Sequence, residues 1–204
     1  MALSRSPKIY AVVGSYRKKG IIDKTVDEIL TAAKEKGAEV TKVYLIDKHI
    51  EFCTNCRSCT GQPGTERGRC KISDEMMAIL DDLESSDAIV LASPMNFWTV
   101  TAVMKRFIER LVCYAYWPWG AKGPQMRRKD KTRQAVIVIS SAAPSLIGRL
   151  MTKIISLLKS AADLLGARTI GILYVGLAAH EEKQQISGRI KSKARKLGQR
   201  LVSN

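Results

Sequence analysis

Along the chain, short apolar runs rich in β-branched residues alternate with longer stretches whose apolar positions recur at helical spacing. The run 8–13 (KIYAVV) is continuous and ends at Gly14-Ser15, which predicts a buried strand closing in a turn. Val26, Ile29, Leu30 and Ala33 fall on one face of a predicted helix over 22–36, with Gly37 placed to stop it. A second strand is expected at 39–45. Ser73, followed by Asp74-Glu75 and a face of Met76, Met77, Ile79, Leu80 and Leu83, reads as the N-cap of a helix running to residue 85. The run 88–92 (AIVLA) predicts the third strand and 101–112 a helix. Strand four follows at 134–139 (QAVIVI), then one long helix over 144–165 ending at Gly166. Strand five is expected at 169–175 (TIGILYV) and a closing amphipathic helix at 181–201. The stretches 52–70 and 114–133 follow neither period and read as loops.

The order is strand then helix, five times over. Strands that are apolar throughout are buried on both faces, as in a parallel sheet covered by helices on either side. Right-handed crossovers then make the sheet doubly wound. The expected fold is an α/β doubly wound sandwich, a single flavodoxin-like domain over 1–204, with a five-stranded parallel sheet in the order 2-1-3-4-5. In such a sheet ligands bind outside the carboxyl ends of the strands, near the point where strand order reverses. Three loops leave those ends, at 14–22, 93–101 and 140–145.

Composition adds limits. At 204 residues and 46% apolar, the chain has material for one sizeable core. No apolar run reaches membrane-spanning length without charges, so no membrane association is expected. The opening MALSRSPK lacks an apolar signal core, and a cytoplasmic location is the expectation. The net charge of +15 favours anionic partners. It concentrates at 122–133 and at 183–200, the latter with seven bases and no acid. No zinc-finger, RNP-type or helix–turn–helix signature accompanies it, so solvated basic faces are expected rather than a nucleic-acid site.

The loop at 14–20 (GSYRKKG) joins a strand to a helix N-terminus, where backbone amides and the helix dipole suit a phosphate. Ser15 offers a hydroxyl, and Arg17, Lys18 and Lys19 offer charge. The loop is neither GxxxxGK[ST] nor GxGxxG. The second loop offers Pro94, Met95, Asn96, Phe97 and Trp98: apolar faces for a flat ring, with Asn96 and backbone amides for its polar edge. Phe97 and Trp98 read equally as core or interface anchors. The third loop, Ser140-Ser141-Ala142-Ala143-Pro144, is small-residue backbone that a ring can approach closely.

GSYRKKG after the first strand, a cysteine-rich loop before the second helix, and SPMNFWTVTAVMKRFIER after the third strand resemble the NADPH-dependent FMN reductase family, with the iron–sulfur flavoproteins as the nearest branch. The resemblance spans about residues 8–201 and is most specific at 93–110, with its Ser-Pro, aromatic pair, Met104-Lys105 and Glu109-Arg110. It implies FMN as cofactor and NAD(P)H as electron donor. Ser15 and Arg17 would hold the FMN phosphate, and Pro94, Met95, Asn96, Phe97 and Trp98 would line the ring; Ser140 and Ser141 are candidates from the position of the third loop, which lacks the glycine-rich form common in relatives. Relatives commonly carry Asn then Ser or Thr where this chain has Ile21-Ile22, so either Lys18, Lys19 or Thr25 substitutes at the phosphate or the phosphate is held more weakly.

Cys53, Cys56 and Cys59 stand at spacing three, and Cys70 follows after ten residues that include Pro63 and glycines. Three readings fit. A [4Fe–4S] cluster would use all four thiolates. Structural zinc sites more often use two separated CxxC pairs. Free redox-active thiols near Arg57 and Arg69 are the third. Cys113 reads as a small core residue. Tyr114, Tyr116, Trp117 and Trp119 suggest a homo-oligomer contact, dimer or tetramer, and Arg127, Arg128 and Lys129 an alternative seat for an NADPH phosphate. His49 and His180, the two histidines, read as surface residues. The expected function is transfer of electrons from NAD(P)H through FMN to a quinone, flavin or protein acceptor. An electron carrier without small-molecule turnover, and a redox sensor or nucleic-acid-associated protein, are the alternatives.

Overall fold

The computed structural model describes residues 5–179 and 184–203. The five long strands are β1 (Lys8–Val13), β2 (Glu39–Tyr44), β3 (Ala88–Pro94), β6 (Arg133–Ser140) and β7 (Ala167–Val175). All neighbours pair parallel, in the order β2-β1-β3-β6-β7, which is the expected 2-1-3-4-5 and the flavodoxin-like order. The helices are α1 (Ile21–Lys34), α2 (Met76–Ser85), α3 (Ala102–Arg110), α4 (Ser145–Met151), α5 (Ile154–Leu164) and α6 (Gly188–Arg200). A short antiparallel pair, β4 (Ala115–Tyr116) with β5 (Gln125–Met126), lies inside the stretch expected to be irregular.

Strand side chains alternate between two cores. Ile9, Ala11, Val13, Val90 and Val136 meet α1 and α6, while Tyr10, Val12, Leu91 and Ile137 meet α2, α3 and α5. Helices α1 and α6 cross closely because Gly198 has no side chain; a Cβ there would lie 2.1 Å from the Ile29 carbonyl oxygen. Burying a side chain such as Ile29 or Phe107 contributes about 1.5–3 kcal/mol each, so these alternating positions carry much of the stability.

Four local expectations change. Ser73 does not cap α2; Asp74 does the equivalent work, its Oδ1 accepting from the Met76 amide at 3.1 Å. The helical stretch after β3 ends at Arg110, and Leu111–Tyr114 tightens into a 3₁₀ turn. The expected single helix over 144–165 is two helices. Thr152 is extended, with its hydroxyl bonded back to the Gly148 carbonyl at 2.8 Å, so α4 stops there and α5 starts afresh. Helix α6 starts at Gly188 rather than 181; His180 lies outside the described residues. Among the described residues no helix is long and apolar enough to cross a membrane.

Candidate functional site

The three loops expected to build a site converge at the carboxyl ends of adjacent strands β1, β3 and β6. They are bonded to one another. The Thr101 hydroxyl donates to the Gly14 carbonyl at 2.5 Å and also accepts from Met104 N, capping α3. The Ala102 amide donates to the Tyr16 hydroxyl at 3.1 Å. The Met95 amide donates to the Ser140 carbonyl at 2.7 Å. Gly14 is required at this junction, since a Cβ on it would lie 2.6 Å from Met104 Cβ. The site thus sits beside β1 and β3, where the strand order reverses.

In the first loop Ser15 is buried and turned on itself, its oxygen 3.1 Å from both the amide and the carbonyl of Arg17. Lys18 is paired with Asp47 at 2.7 Å and lies over the Tyr44 ring. Lys19 has a left-handed backbone, φ 62°, and its amide donates to Asp23 Oδ2 at 2.5 Å. The other Asp23 oxygen accepts from Lys42 Nζ and from the Tyr44 hydroxyl, each at 2.7 Å. Burial alone would raise the Asp23 carboxyl, but these donors hold it below the usual carboxylate range. Burial would depress the Lys42 ammonium, yet Asp23 and Asp27 keep it raised. Thr25 does not reach the loop: it is fully buried and its hydroxyl donates to the Ile21 carbonyl one turn back. No side chain caps Gly20, so the first amides of α1 remain open to an anion.

The second loop ends in a tight turn. Asn96 and Thr99 exchange both backbone hydrogen bonds, while Phe97 (φ 45°) and Trp98 (φ 68°) are left-handed. Positive φ at both central residues is the geometry of a type I′ turn, which Asn-Gly fills without strain and bulky residues do not. Phe97 is 97% exposed and Trp98 58% exposed. Neither is a core anchor; both rings stand in solvent at the mouth of the site. Met95 packs on the core. In the third loop Ser140 and Ser141 are buried, and the Ser141 hydroxyl donates to the Ala143 carbonyl at 2.8 Å. The site therefore fits FMN through exposed aromatic faces, small-residue backbone and open helix amides, with few free side-chain donors at the phosphate end.

The cysteine loop leaves the carboxyl end of β2 but packs alongside the far end of α3. Arg110, in the last turn of α3, forms a buried two-pronged ion pair with Asp74 at 2.5 and 3.2 Å. It also donates to the Glu51 carbonyl at 2.9 Å and stands 3.6 Å from Cys70 Sγ. Burial pulls the guanidinium down and the Asp74 carboxyl up; their mutual contact wins, so Arg110 is raised and Asp74 lowered. Arg127 is buried and donates to four backbone carbonyls, of Cys113, Gly64, Cys59 and Gln62, at 3.1, 2.8, 2.9 and 2.6 Å. It fastens the loop and is not available to a dinucleotide phosphate, which corrects that expectation. Arg128 donates to the Thr65 carbonyl. Arg57 lies over both Trp117 and Trp119, 3.9 and 4.2 Å from the ring centroids, so the aromatic insert packs on the cysteine loop.

Cys59 is buried, and its thiol is raised first by burial and then by Cys70, Cys53 and Cys56. Cys113 is buried as expected, with its thiol pushed up to about 12 by burial and by neighbouring Cys59. The exposed Cys56 thiol is lowered to about 7 by the Ser58 hydroxyl and amide. The donor set suits iron–sulfur chemistry by type, and the arginines around it suit an anionic centre. The arrangement does not fit as it stands. Cys53 faces Asn55, Cys56 faces Ser58 and Cys70 faces Arg110. Among the described residues no three His, Cys, Asp or Glu side chains stand in a ligating group.

Asp23, Tyr16 and Thr101 were not read from the sequence as parts of the first site, and Asp74, Arg110 and Arg127, though noted for other reasons, were not read as holding the cysteine loop. Thr101, three residues before Met104 at the head of an amphipathic stretch, carried a readable capping signal. The arginines carried none, because a buried clamp and a solvated charge look alike in sequence.

The family model for NADPH-dependent FMN reductase matches residues 7–182. An iron-sulfur flavoprotein of Archaeoglobus fulgidus is 38% identical over 111 residues, 54% of this chain and 48% of the relative. The chain spans about half the length of the curated relatives it matches. Among solved structures, the NAD(P)H:quinone oxidoreductase of Methanothermobacter marburgensis has a TM-score of 0.66 at 13% identity, covering 97% of this chain and 98% of that one. An FMN-dependent NADH-azoreductase of Bacillus anthracis, in complex with FMN, has a TM-score of 0.68 at 14% identity, covering 96% and 100%. At these identities the structural likenesses show the fold.

Proposed function

Since the chain belongs to the NADPH-dependent FMN reductase family, we propose that it is an FMN-dependent oxidoreductase taking electrons from NAD(P)H and passing them to a quinone, flavin or protein acceptor. The observation that carries this is the convergence of loops 14–20, 93–101 and 140–145 at the carboxyl ends of β1, β3 and β6, with two exposed aromatic rings at its mouth. FMN, when bound, supplies the two-electron chemistry. The residues' part is to hold it. Pro94 to Trp98 and the 140–143 backbone would flank the ring, and the first amides of α1 with Ser15, Arg17, Lys18 and Lys19 would face the phosphate. No side-chain acid or base is assigned to the reaction.

The test is reconstitution. Purified protein incubated with FMN and desalted should be yellow and should oxidise NADH or NADPH with a quinone present. A colourless protein that does not retain added FMN would overturn the reading.

A second reading, an iron–sulfur flavoprotein acting as electron carrier, is supported by the printed names of relatives such as the Archaeoglobus fulgidus protein and by the four cysteines 53, 56, 59 and 70 in one loop, with Arg110 beside Cys70. Iron and acid-labile sulfide assays on anaerobically purified protein check it, and absence of both would sink it. Assembly as a dimer or tetramer is part of the same proposal.

A further inference from the structure

Helix α6 carries six bases and no acid over Gly188–Arg200. The bases fall on two flanks. Lys191 and Arg195 lean on α1: Lys191 pairs with Glu28 at 3.0 Å, and Arg195 pairs with Glu28 at 3.6 Å and with Glu35. Arg189, Lys193, Lys196 and Arg200 stand at i, i+4, i+7 and i+11. At 3.6 residues per turn they fall within an arc of about 60° and form a straight stripe about 16 Å long. All four are exposed, and among the described residues none of their side chains has an acidic or other hydrogen-bonding partner.

The packing of α6 fixes which way the stripe looks. Gly198 meets the Ile29 backbone of α1, and Leu197 meets Gly171 of β7. The stripe lies past Leu197, on the β7 side and away from α1. Arg168 adds a fifth exposed charge there. Ala167 belongs to the opposite core, so Arg168 shares the α6 face of β7 with Ile170. Strand β7 is an outer strand whose register already shifts at Ala135/Val136, so its free edge is irregular without help from the stripe. Five like charges without a counter-charge repel one another in the isolated chain, and an anionic partner relieves that repulsion.

The surroundings of the stripe choose among anionic partners. A second copy of the chain brings another +15 and is repelled. A helix lying on a bilayer needs apolar residues in the interface. Here Ala194, Leu197 and Leu201 are turned into the core, and the positions beside the stripe are Ser192 and Gln199. Single-stranded nucleic acid is held on aromatic platforms, and the exposed rings of Tyr16, Phe52, Phe97, Trp98 and Trp119 all lie outside β7 and α6. We propose that α6 docks an acidic helix of a partner protein, with carboxylates at i, i+4, i+7 and i+11 facing Arg189, Lys193, Lys196 and Arg200. The spacing reads the same in both directions, so the partner helix fits in either sense. The proposal is independent of the flavin reading. Exposed pairs of this kind set encounter rate and orientation more than affinity, so the complex is weak and salt-sensitive.

The test uses the full chain and a fluorescein-labelled peptide helix of about four turns with glutamates at that spacing, followed by anisotropy at about 0.05 M salt. Lys193→Glu with Lys196→Glu removes two attractions and adds two repulsions, so affinity should fall about tenfold. Lys122→Glu with Lys129→Glu makes the same change in net charge at another exposed stretch and should change affinity by less than about twofold. Equal losses in the two variants would show bulk charge alone and overturn the proposal. So would a DNA duplex or a phosphatidylserine vesicle that binds the parent more tightly than the peptide and loses that binding in the α6 variant. A peptide that does not bind at millimolar concentration also overturns it. Lys193→Gln with Lys196→Gln adds no acid to the helix and covers the case in which the glutamate variant fails to fold. It should weaken the peptide about threefold, and an unchanged affinity in that variant counts against the stripe.

Discussion

Asp74 and Arg110 form the buried charge pair on which the cysteine loop depends, with side chains 0% and 2% exposed. Removing one member of such a pair leaves the other unpaired away from water, which costs about 3–5 kcal/mol. Asp74→Asn should therefore lower the melting temperature sharply and loosen the loop around Glu51 and Cys70, read by limited proteolysis. The pH dependence has a definite sign. The folded carboxyls of Asp74 and Asp23 are depressed, so their contribution is complete above the unfolded carboxylate pKa of about 3.9. It is lost as pH falls below that value through the folded pKa values. Melts should show a steep loss of stability below about pH 4, and Asp74→Asn should flatten that slope; an equally steep slope in the variant would refute the assignment. Phe97 and Trp98 predict the opposite kind of effect. Left-handed bulky residues cost about 1–3 kcal/mol each, against a loss of about 0.5–1 kcal/mol for the freedom glycine gains when unfolded. The strain is the larger, so Phe97→Gly should stabilise the flavin-free protein while weakening flavin binding, by melting and titration respectively.

Among the elements, the strands were legible because burial on both faces writes an uninterrupted apolar run, and the order of strands and helices then left little choice of sheet. The break at Thr152 was not legible, because the apolar spacing on its two sides continues in phase and only a hydroxyl bonded back to Gly148 marks the stop. The turn at Phe97–Trp98 was hidden for a different reason: its residues are the wrong ones for its geometry. At the site, the ring loop could be found from its composition, whereas Thr25 looked available and is buried, and Asp23 looked like an ordinary first-turn acid. The cysteine loop was legible as a cluster but not as a packed element. Its return against α3 depends on Gly68, whose amide donates to the Cys113 carbonyl at 2.8 Å and where a Cβ would fall 1.8 Å from the Cys59 carbonyl oxygen. Gly68→Ala should therefore lift the segment 60–70 off the domain, exposing it to protease while the far-ultraviolet spectrum of the sheet and helices stays unchanged. Arg127→Met should do the same, since it frees four carbonyls from their shared donor.

On the whole molecule, large exposed apolar side chains gather at the carboxyl edge of the sheet: Tyr16, Phe97, Trp98, Leu146, Ile147, Leu150 and Leu177. Helix α4 contributes three of them, with Leu146 69% and Leu150 78% exposed. A seven-residue helix has too few hydrogen bonds to persist on propensity alone and draws its stability from packing. With its outer face bare, a second copy of the chain is the natural cover, and the same contact would shelter the aromatic mouth of the site. The net charge of +15 works against self-association. The two effects respond oppositely to salt: apolar burial persists, while repulsion between like charges is screened within about 8 Å at physiological ionic strength. Sedimentation velocity at micromolar protein should accordingly show a dimer or tetramer whose share grows between about 0.02 M and 0.2 M salt. Leu146→Lys with Leu150→Lys, at solvent-facing positions, should shift the population to monomer without lowering the melting temperature of the monomer itself. A parent protein that sediments as a monomer throughout this range would show that the apolar edge serves ligand alone.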